Sequence, residues 1–173
     1  TRPHLLAKDA QGQVLVDDSY ERGQIASVAD AMDQLESWLA GQLKGVLPEA
    51  IGHRVVHGGP EFSAPVLIDD AVLAKLETLV PLAPLHQPNN LAPIKEIRAR
   101  FPTIRQVACF DTAFHRGHPE VADRFAIPDH YYRDGIRRYG FHGLSYEYVA
   151  QRLTQIAPDL AGGRAVVCHL GSG

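Results

Sequence analysis

Apolar residues along this 173-residue chain follow two rhythms. Between positions 25 and 43, Ile25, Val28, Met32, Leu35, Leu39 and Leu43 recur at steps of three and four, which predicts an amphipathic helix with Trp38 beside its stripe. Gly45 and Pro48 break it. Short apolar runs predict strands over 4–7 and 13–16, joined by a turn at Asp9-Ala10-Gln11-Gly12, and again over 51–57, 104–110 and 165–170, the last as a buried strand. Asp69 is placed to cap a helix carrying Val72, Leu73, Leu76, Leu79 and Val80. A proline-rich loop over 81–88 leads to a helix capped by Asn89 or Asn90, with Leu91, Ile94, Ile97 and Phe101 inward and Pro93 in its first turn. Residues 115–140 read as an irregular connection with short helices, and 145–156 as helix. Strands alternating with helices predict an α/β architecture.

Composition narrows the classes. At 45% hydrophobic and 21% charged, the chain can bury a core. Its 17 Lys and Arg against 20 Asp and Glu give a formal charge of −3, which argues against a nucleic-acid or anionic-membrane binder. No apolar run approaches a membrane span and the start lacks a hydrophobic signal core, so the cytoplasm is the expected location. Cys109 and Cys168 lie in apolar runs without a Cys-x-x-Cys spacing, and are expected to be small buried hydrophobes.

Nine histidines raise the question of a metal. His53 and His57 fall in a strand, not in a His-Glu-x-x-His helix, and His115 and His118 lie in a loop with no obvious third ligand. Ordinary hydrogen-bonding roles are the expectation. Three segments carry more specific chemistry. In Gly52-His53-Arg54-Val55-Val56-His57-Gly58-Gly59, strand alternation puts Arg54 and Val56 on one face, where a guanidinium can fork onto a small carboxylate while the valine packs its alkyl end. The bland alternative is a surface Arg beside a core Val. In 107–115 an apolar strand delivers Asp111 at its carboxyl end, where α/β proteins place active sites, although a cap would use the same residue. In 137–145, Gly140 and Gly143 bracket Phe141 and His142, which would let a substrate approach the backbone closely. A fourth, weaker segment, 166–173, ends in Gly171-Ser172-Gly173, a turn whose N–H groups could cradle phosphate or simply close a hairpin.

Taken in order, His-Arg-Val-Val-His-Gly-Gly (53–59), Pro-Leu-Ala-Pro-Leu-His-Gln-Pro-Asn-Asn (81–90), Phe-Asp-Thr-Ala-Phe-His (110–115), Arg-Arg-Tyr-Gly-Phe-His-Gly (137–143) and His-Leu-Gly-Ser-Gly (169–173) resemble the acetate kinase family of the actin-like, ribonuclease-H-like ATPase superfamily. The resemblance implies Mg²⁺-dependent, reversible phosphoryl transfer from ATP to acetate. It implies that Arg54 binds the carboxylate and that Val56, Leu85 and Phe141 form the methyl pocket. Asp111 and His142 would be catalytic, and His169, Leu170, Gly171, Ser172 and Gly173 would bind ATP phosphates. It further implies a homodimer.

The fold expected on that basis is a ribonuclease-H-like, actin-like lobe over 1–111, its first strand and loop missing, followed over 112–173 by a linker and the start of a second lobe. The chain reads as a fragment, with magnesium ligands expected in missing segments and no useful activity on its own. Ser172 stands where the family usually has Asn, and Leu144 where it usually has Thr. The alternatives are a propionate or butyrate kinase of the same family, or a non-catalytic carboxylate-binding or interaction module. Because the acceptor carboxylate is already ionised at neutral pH, no general base is required, and Asp111 is expected to orient Arg54 or to organise a metal-water shell.

Overall fold

The structure is a computed structural model, and residues 2–46 and 48–171 are described. In chain order the elements are β1 (His4–Lys8), β2 (Val14–Ser19), α1 (Val28–Leu43), β3 (Ala50–Val55), β4 (Val66–Leu67), α2 (Asp70–Thr78), α3 (Gln87–Arg100), β5 (Arg105–Phe110), α4 (Glu120–Asp123), α5 (Asp129–Arg133), α6 (Gly143–Ile156) and α7 (Pro158–Ala161). They fall into two compact units, one of 1–49 with 92–104, the other of 50–91 with 105–173. No helix is long and apolar enough to cross a membrane, among the described residues.

In the first unit β1 and β2 pair antiparallel, His4 opposite Ser19. The Asp9 carboxylate closes their turn by accepting from the Gln11 and Gln13 amides at 2.9 and 2.8 Å. The helical stripe read between 25 and 43 forms α1, and its start is fixed by a capping box: Ser27 accepts from the Asp30 amide while the Asp30 carboxylate accepts from the Ser27 amide. This moves the first helical residue from the expected Ile25 to Val28. Arg100, at the end of α3, binds Asp33, Glu36 and Glu96, so one guanidinium joins two helices of this unit.

In the second unit the sheet order is β3-β5-β4. β3 and β5 run parallel, Val55 opposite Phe110, and the two-residue β4 is antiparallel on the far side of β5. Val55, Leu76, Ala108 and Phe110 are buried at its centre, with Phe62 stacked on Phe110 at 5.1 Å. Asp69 caps α2 as expected, accepting from the Val72 amide at 2.7 Å.

Three expectations are corrected. First, α3 begins at Gln87, about one turn before the asparagines thought to cap it, so Pro93 lies inside the helix and not in its first turn. The Gln87 side chain is fully buried and bonds the His57 backbone and the Leu76 carbonyl, which pins the first turn there, while Asn90 reaches out to the Val56 amide. Second, residues 165–170 form no strand. Val166 and Leu170 are about nine-tenths exposed, at 91% and 88%, because no neighbouring strand pairs with them among the described residues, and an apolar run becomes a strand only with a sheet edge to join. Third, Cys168 is exposed and Cys109 half-buried, so neither is a fully buried hydrophobe.

Candidate active site

The parallel pairing of β3 with β5 determines the site. Where β3 ends, the backbone leaves the sheet and three side chains catch its amides in turn. Asn90 accepts from Val56 at 2.9 Å, Gln87 from His57 at 3.3 Å and Thr112 from Gly58 at 3.0 Å. β5 ends at the same level, Phe110 opposite Val55, and the Asp111 amide extends the ladder by donating to the Val55 carbonyl at 3.1 Å. Arg54 and Asp111, 57 residues apart in the chain, meet through this register.

Arg54 Nε donates to both Asp111 oxygens at 3.0 and 3.1 Å, and Nη2 to Oδ2 at 2.7 Å. The Asp111 side chain is 1% exposed and that of Arg54 64%, so a buried carboxylate grips a guanidinium whose outer edge faces solvent. That hydrogen bonding raises the Arg54 pKa against the opposing effect of burial. Two of the five guanidinium N–H groups are committed to Asp111, leaving three for a ligand.

The pair sits in a cleft of about 620 Å³ lined by Val56, Leu82, Ala83, Pro84, Leu85, His86, Phe141 and His142. Every residue of this cleft belongs to the second unit. It therefore brings together Arg54, Val56, Leu85, Phe141, Asp111 and His142 from the sequence reading. A smaller cleft beside it adds Leu144, Ser145, Tyr148 and His169.

His142 initiates α6 with φ at 57° and ψ at 22°, a left-handed conformation that a residue with a Cβ adopts at a cost of about 1–2 kcal/mol. Its Nδ1 is buried without a hydrogen-bond partner among the described residues, and its ring stacks on His169 at 4.3 Å. His169 Nδ1 lies 3.2 Å from the Ser145 hydroxyl. The strain lies in the His142 backbone, and its ring lines the cleft beside Arg54 and Asp111.

The glycines flanking Phe141 and His142 have a different use from the one expected. A Cβ on Gly143 would lie 2.4 Å from the Asp111 carbonyl oxygen, and one on Gly140 would lie 2.3 Å from the His115 ring. The close approach is made by the protein's own backbone and imidazole. Gly143 N–H donates to that Asp111 carbonyl at 2.8 Å, tying the start of α6 to the end of β5.

Of the ATP-binding residues read from the sequence, His169 joins the smaller cleft, and Leu170 and Gly171 run exposed beyond it. Ser172 and Gly173 lie outside the described residues. No group of three or more His, Cys, Asp and Glu residues could hold a metal, among the described residues.

The histidines off the cleft have structural partners. His53 pairs with Gln106 and His115 with the Phe141 carbonyl, at 2.7 and 2.9 Å. His57 is buried, and its Nδ1 accepts from the Gly59 amide at 2.9 Å, so that nitrogen carries no proton. Burial pushes the His57 pKa down; it does the same for His53, partly opposed by the Gln106 bond. An imidazole with a depressed folded pKa stabilises the fold above its unfolded value, near 6.5, and that stability is lost as pH falls through the folded value. The thermal midpoint is expected to fall as pH drops from about 7.5 to about 5.5, with a smaller fall in His57→Gln. Equal slopes for the two proteins would remove His57 as a source.

Sequence reasoning missed Asn90, Gln87 and Thr112, which hold the backbone of 56–58 where it leaves β3, and Leu82, Pro84 and His86, which wall the cleft. The 81–90 motif was the available signal, since it contains five of the six.

The family model described as the acetokinase family matches residues 6–173. The chain belongs to the acetate kinase family. Among curated acetate kinases, that of Nitrobacter hamburgensis is 56% identical over the whole chain and that of Rhizobium meliloti 53%, with 43% and 44% of those proteins covered. The chain thus spans under half the length of these acetate kinases. Among solved structures, the acetate kinase of Porphyromonas gingivalis superposes with a TM-score of 0.74 at 38% identity, covering 90% of this chain and 39% of that one. A propionate kinase from Francisella tularensis gives 0.73 at 38%, covering 83% and 37%. The α/β fold is accordingly part of the actin-like fold shared by acetate and propionate kinases.

Proposed function

We propose that, at full family length, the protein transfers a phosphoryl group reversibly between ATP and acetate, giving acetyl phosphate and ADP. The observation that carries this reading is the Arg54–Asp111 pair at the floor of a cleft walled by Val56, Leu85, Phe141 and His142. The guanidinium binds the acceptor carboxylate through its remaining N–H groups, and the three apolar side chains receive the alkyl end. The carboxylate attacks in its ionised form, so the protein contributes position and charge and no proton abstraction. His142, on the wall of both clefts, is suited to hydrogen-bond an oxygen of the transferring phosphoryl group. Asp111, with both oxygens on Arg54, acts as the residue that orients it.

ATP supplies the phosphoryl group in this scheme, and Mg²⁺ would accompany it. The described residues do not form a metal site of their own, since the cleft's one carboxylate is engaged with Arg54, and no step here is assigned to the ion. We assign 1–111 to the first actin-like lobe and 112–173 to the linker and the start of the second, and take the assembled protein to be a cytoplasmic homodimer. The likeness to the Francisella tularensis propionate kinase supports a second reading in which propionate is the acceptor.

The test is a protein carrying this sequence at full family length, assayed for acyl phosphate formation with acetate and with propionate. The ratio of kcat/KM identifies the acceptor, because one methylene is worth about 1–3 kcal/mol. Arg54→Ala is expected to raise the carboxylate KM at least about tenfold while leaving the KM for ATP nearly unchanged. A wild-type protein inactive with both carboxylates would overturn the reading.

A further inference from the structure

Residues 136–142 carry Phe141 and His142 to the cleft, yet they belong to no helix or strand. With no ladder to hold them, their position, including the left-handed His142, depends on contacts from neighbouring segments. Those contacts converge on Asp123, outside the cleft. Its side chain is 5% exposed and accepts four hydrogen bonds. Arg116 Nη1 and His118 Nε2 reach Oδ1 at 3.1 and 3.0 Å, and the Tyr132 hydroxyl and Arg137 Nη1 reach Oδ2 at 3.1 and 3.2 Å. The Asp123 carbonyl accepts from the Arg138 amide at 2.8 Å. One residue thus holds 137–138 by both side chain and backbone.

The chain of contact then runs on to the cleft. Tyr139 lies under the Arg116 guanidinium at 5.9 Å and edge-on to His57 at 4.4 Å, and His57 is edge-on to Phe141 at 5.6 Å. The turn that carries Arg116 also carries His115, which holds the Phe141 carbonyl. Burial alone would push the Asp123 carboxyl up, but the bonds from His118 and Tyr132 and the charges of Arg116 and Arg137 outweigh it and leave it low. A buried carboxylate with four donors is rigid and specific in its geometry, and removing its charge disturbs every donor at once.

We propose that Asp123 is a positioning residue for the carboxylate-binding wall of the cleft, acting through Arg137 and Arg138 on Phe141 and His142. This rests on the reading of the cleft as a carboxylate kinase site. The experiment uses the full-family-length protein with steady-state kinetics for carboxylate and for ATP. Asp123→Asn keeps the shape but turns an amide N–H₂ toward donors. It is expected to raise the carboxylate KM about tenfold while the KM for ATP stays within about twofold. Tyr132→Phe removes one bond to the same carboxylate but keeps the ring against Arg137, 4.8 Å from its guanidinium, and is expected to lower the thermal midpoint with the carboxylate KM unchanged. Should Asp123→Asn not fold, Arg137→Gln, which cuts the tie on the wall itself, is expected to give the same KM split. An unchanged carboxylate KM in the folded variant, parallel changes in both KM values, or a carboxylate KM raised equally by Tyr132→Phe would overturn the proposal alone. Absence of carboxylate kinase activity in the wild type would take the functional reading with it.

Discussion

Gly143→Ala is expected to cost the protein both stability and activity. The added methyl group would meet the Asp111 carbonyl oxygen at 2.4 Å and the Phe114 Cβ at 2.7 Å. Neither obstacle is the end of a flexible side chain. One is the backbone that follows β5, and the other is a Cβ fixed by the backbone turn at 113–117. Relief requires the start of α6 to move away from β5, breaking the 2.8 Å bond from the Gly143 amide to Asp111. Overpacking of this kind costs about 1–3 kcal/mol, and the lost buried hydrogen bond adds to it. The displaced element carries His142, so kcat should fall with the thermal midpoint. Calorimetry and initial rates on the full-family-length protein check this; a midpoint within a degree or so of wild type would show that the helix start yields without strain.

Asp111→Asn should have the larger effect on catalysis and the smaller one on folding. The amide oxygen still accepts from Arg54, but the N–H₂ faces a second guanidinium donor where a carboxylate oxygen was. Loss of a charge-assisted contact is worth about 1.5–3 kcal/mol, toward the lower end here because the Arg54 head is solvent-exposed. That corresponds to a fall of roughly ten- to a hundredfold in kcat/KM for the carboxylate. The loss should fall mainly on the carboxylate KM, since Arg54 is the group released. A variant with an unchanged carboxylate KM but a raised Mg²⁺ requirement would assign Asp111 to the metal-water shell instead, and unimpaired turnover would exclude both roles.

The legible parts of this chain are those governed by local signals. The stripe of α1, the Asp9 turn and the Asp69 cap all rest on residues close together in the chain, and each forms as read, apart from the start of α1, which the Ser27–Asp30 capping box sets at Val28. The start of α3 was not legible, because Gln87 is committed to partners 11 and 30 residues away that outweigh the capping tendency of asparagine. The run at 165–170 has strand composition and no strand partner among the described residues, a condition invisible in its own residues. Arg54 and Asp111 were each identifiable by their place at a strand end. Their union was legible only as one of two roles for Asp111, since it depends on the parallel register of β3 and β5. The Asp123 cluster had no signal at all: its donors are scattered over 116–137 in a stretch without periodicity.

The Arg54–Asp111 pair has a consequence for how small a ligand the cleft can hold. The best tiny ligands gain at most about 1.5 kcal/mol per non-hydrogen atom, so a four-atom carboxylate such as acetate has no more than about 6 kcal/mol to spend. Freezing a free arginine side chain would consume about 0.5–1.5 kcal/mol of that. Here the buried Asp111 has already chosen the Arg54 rotamer through three contacts of 2.7–3.1 Å before any ligand arrives. The entropy loss is therefore charged to folding, where a whole core shares it, and a molecule of four heavy atoms meets a receptor that is already in place.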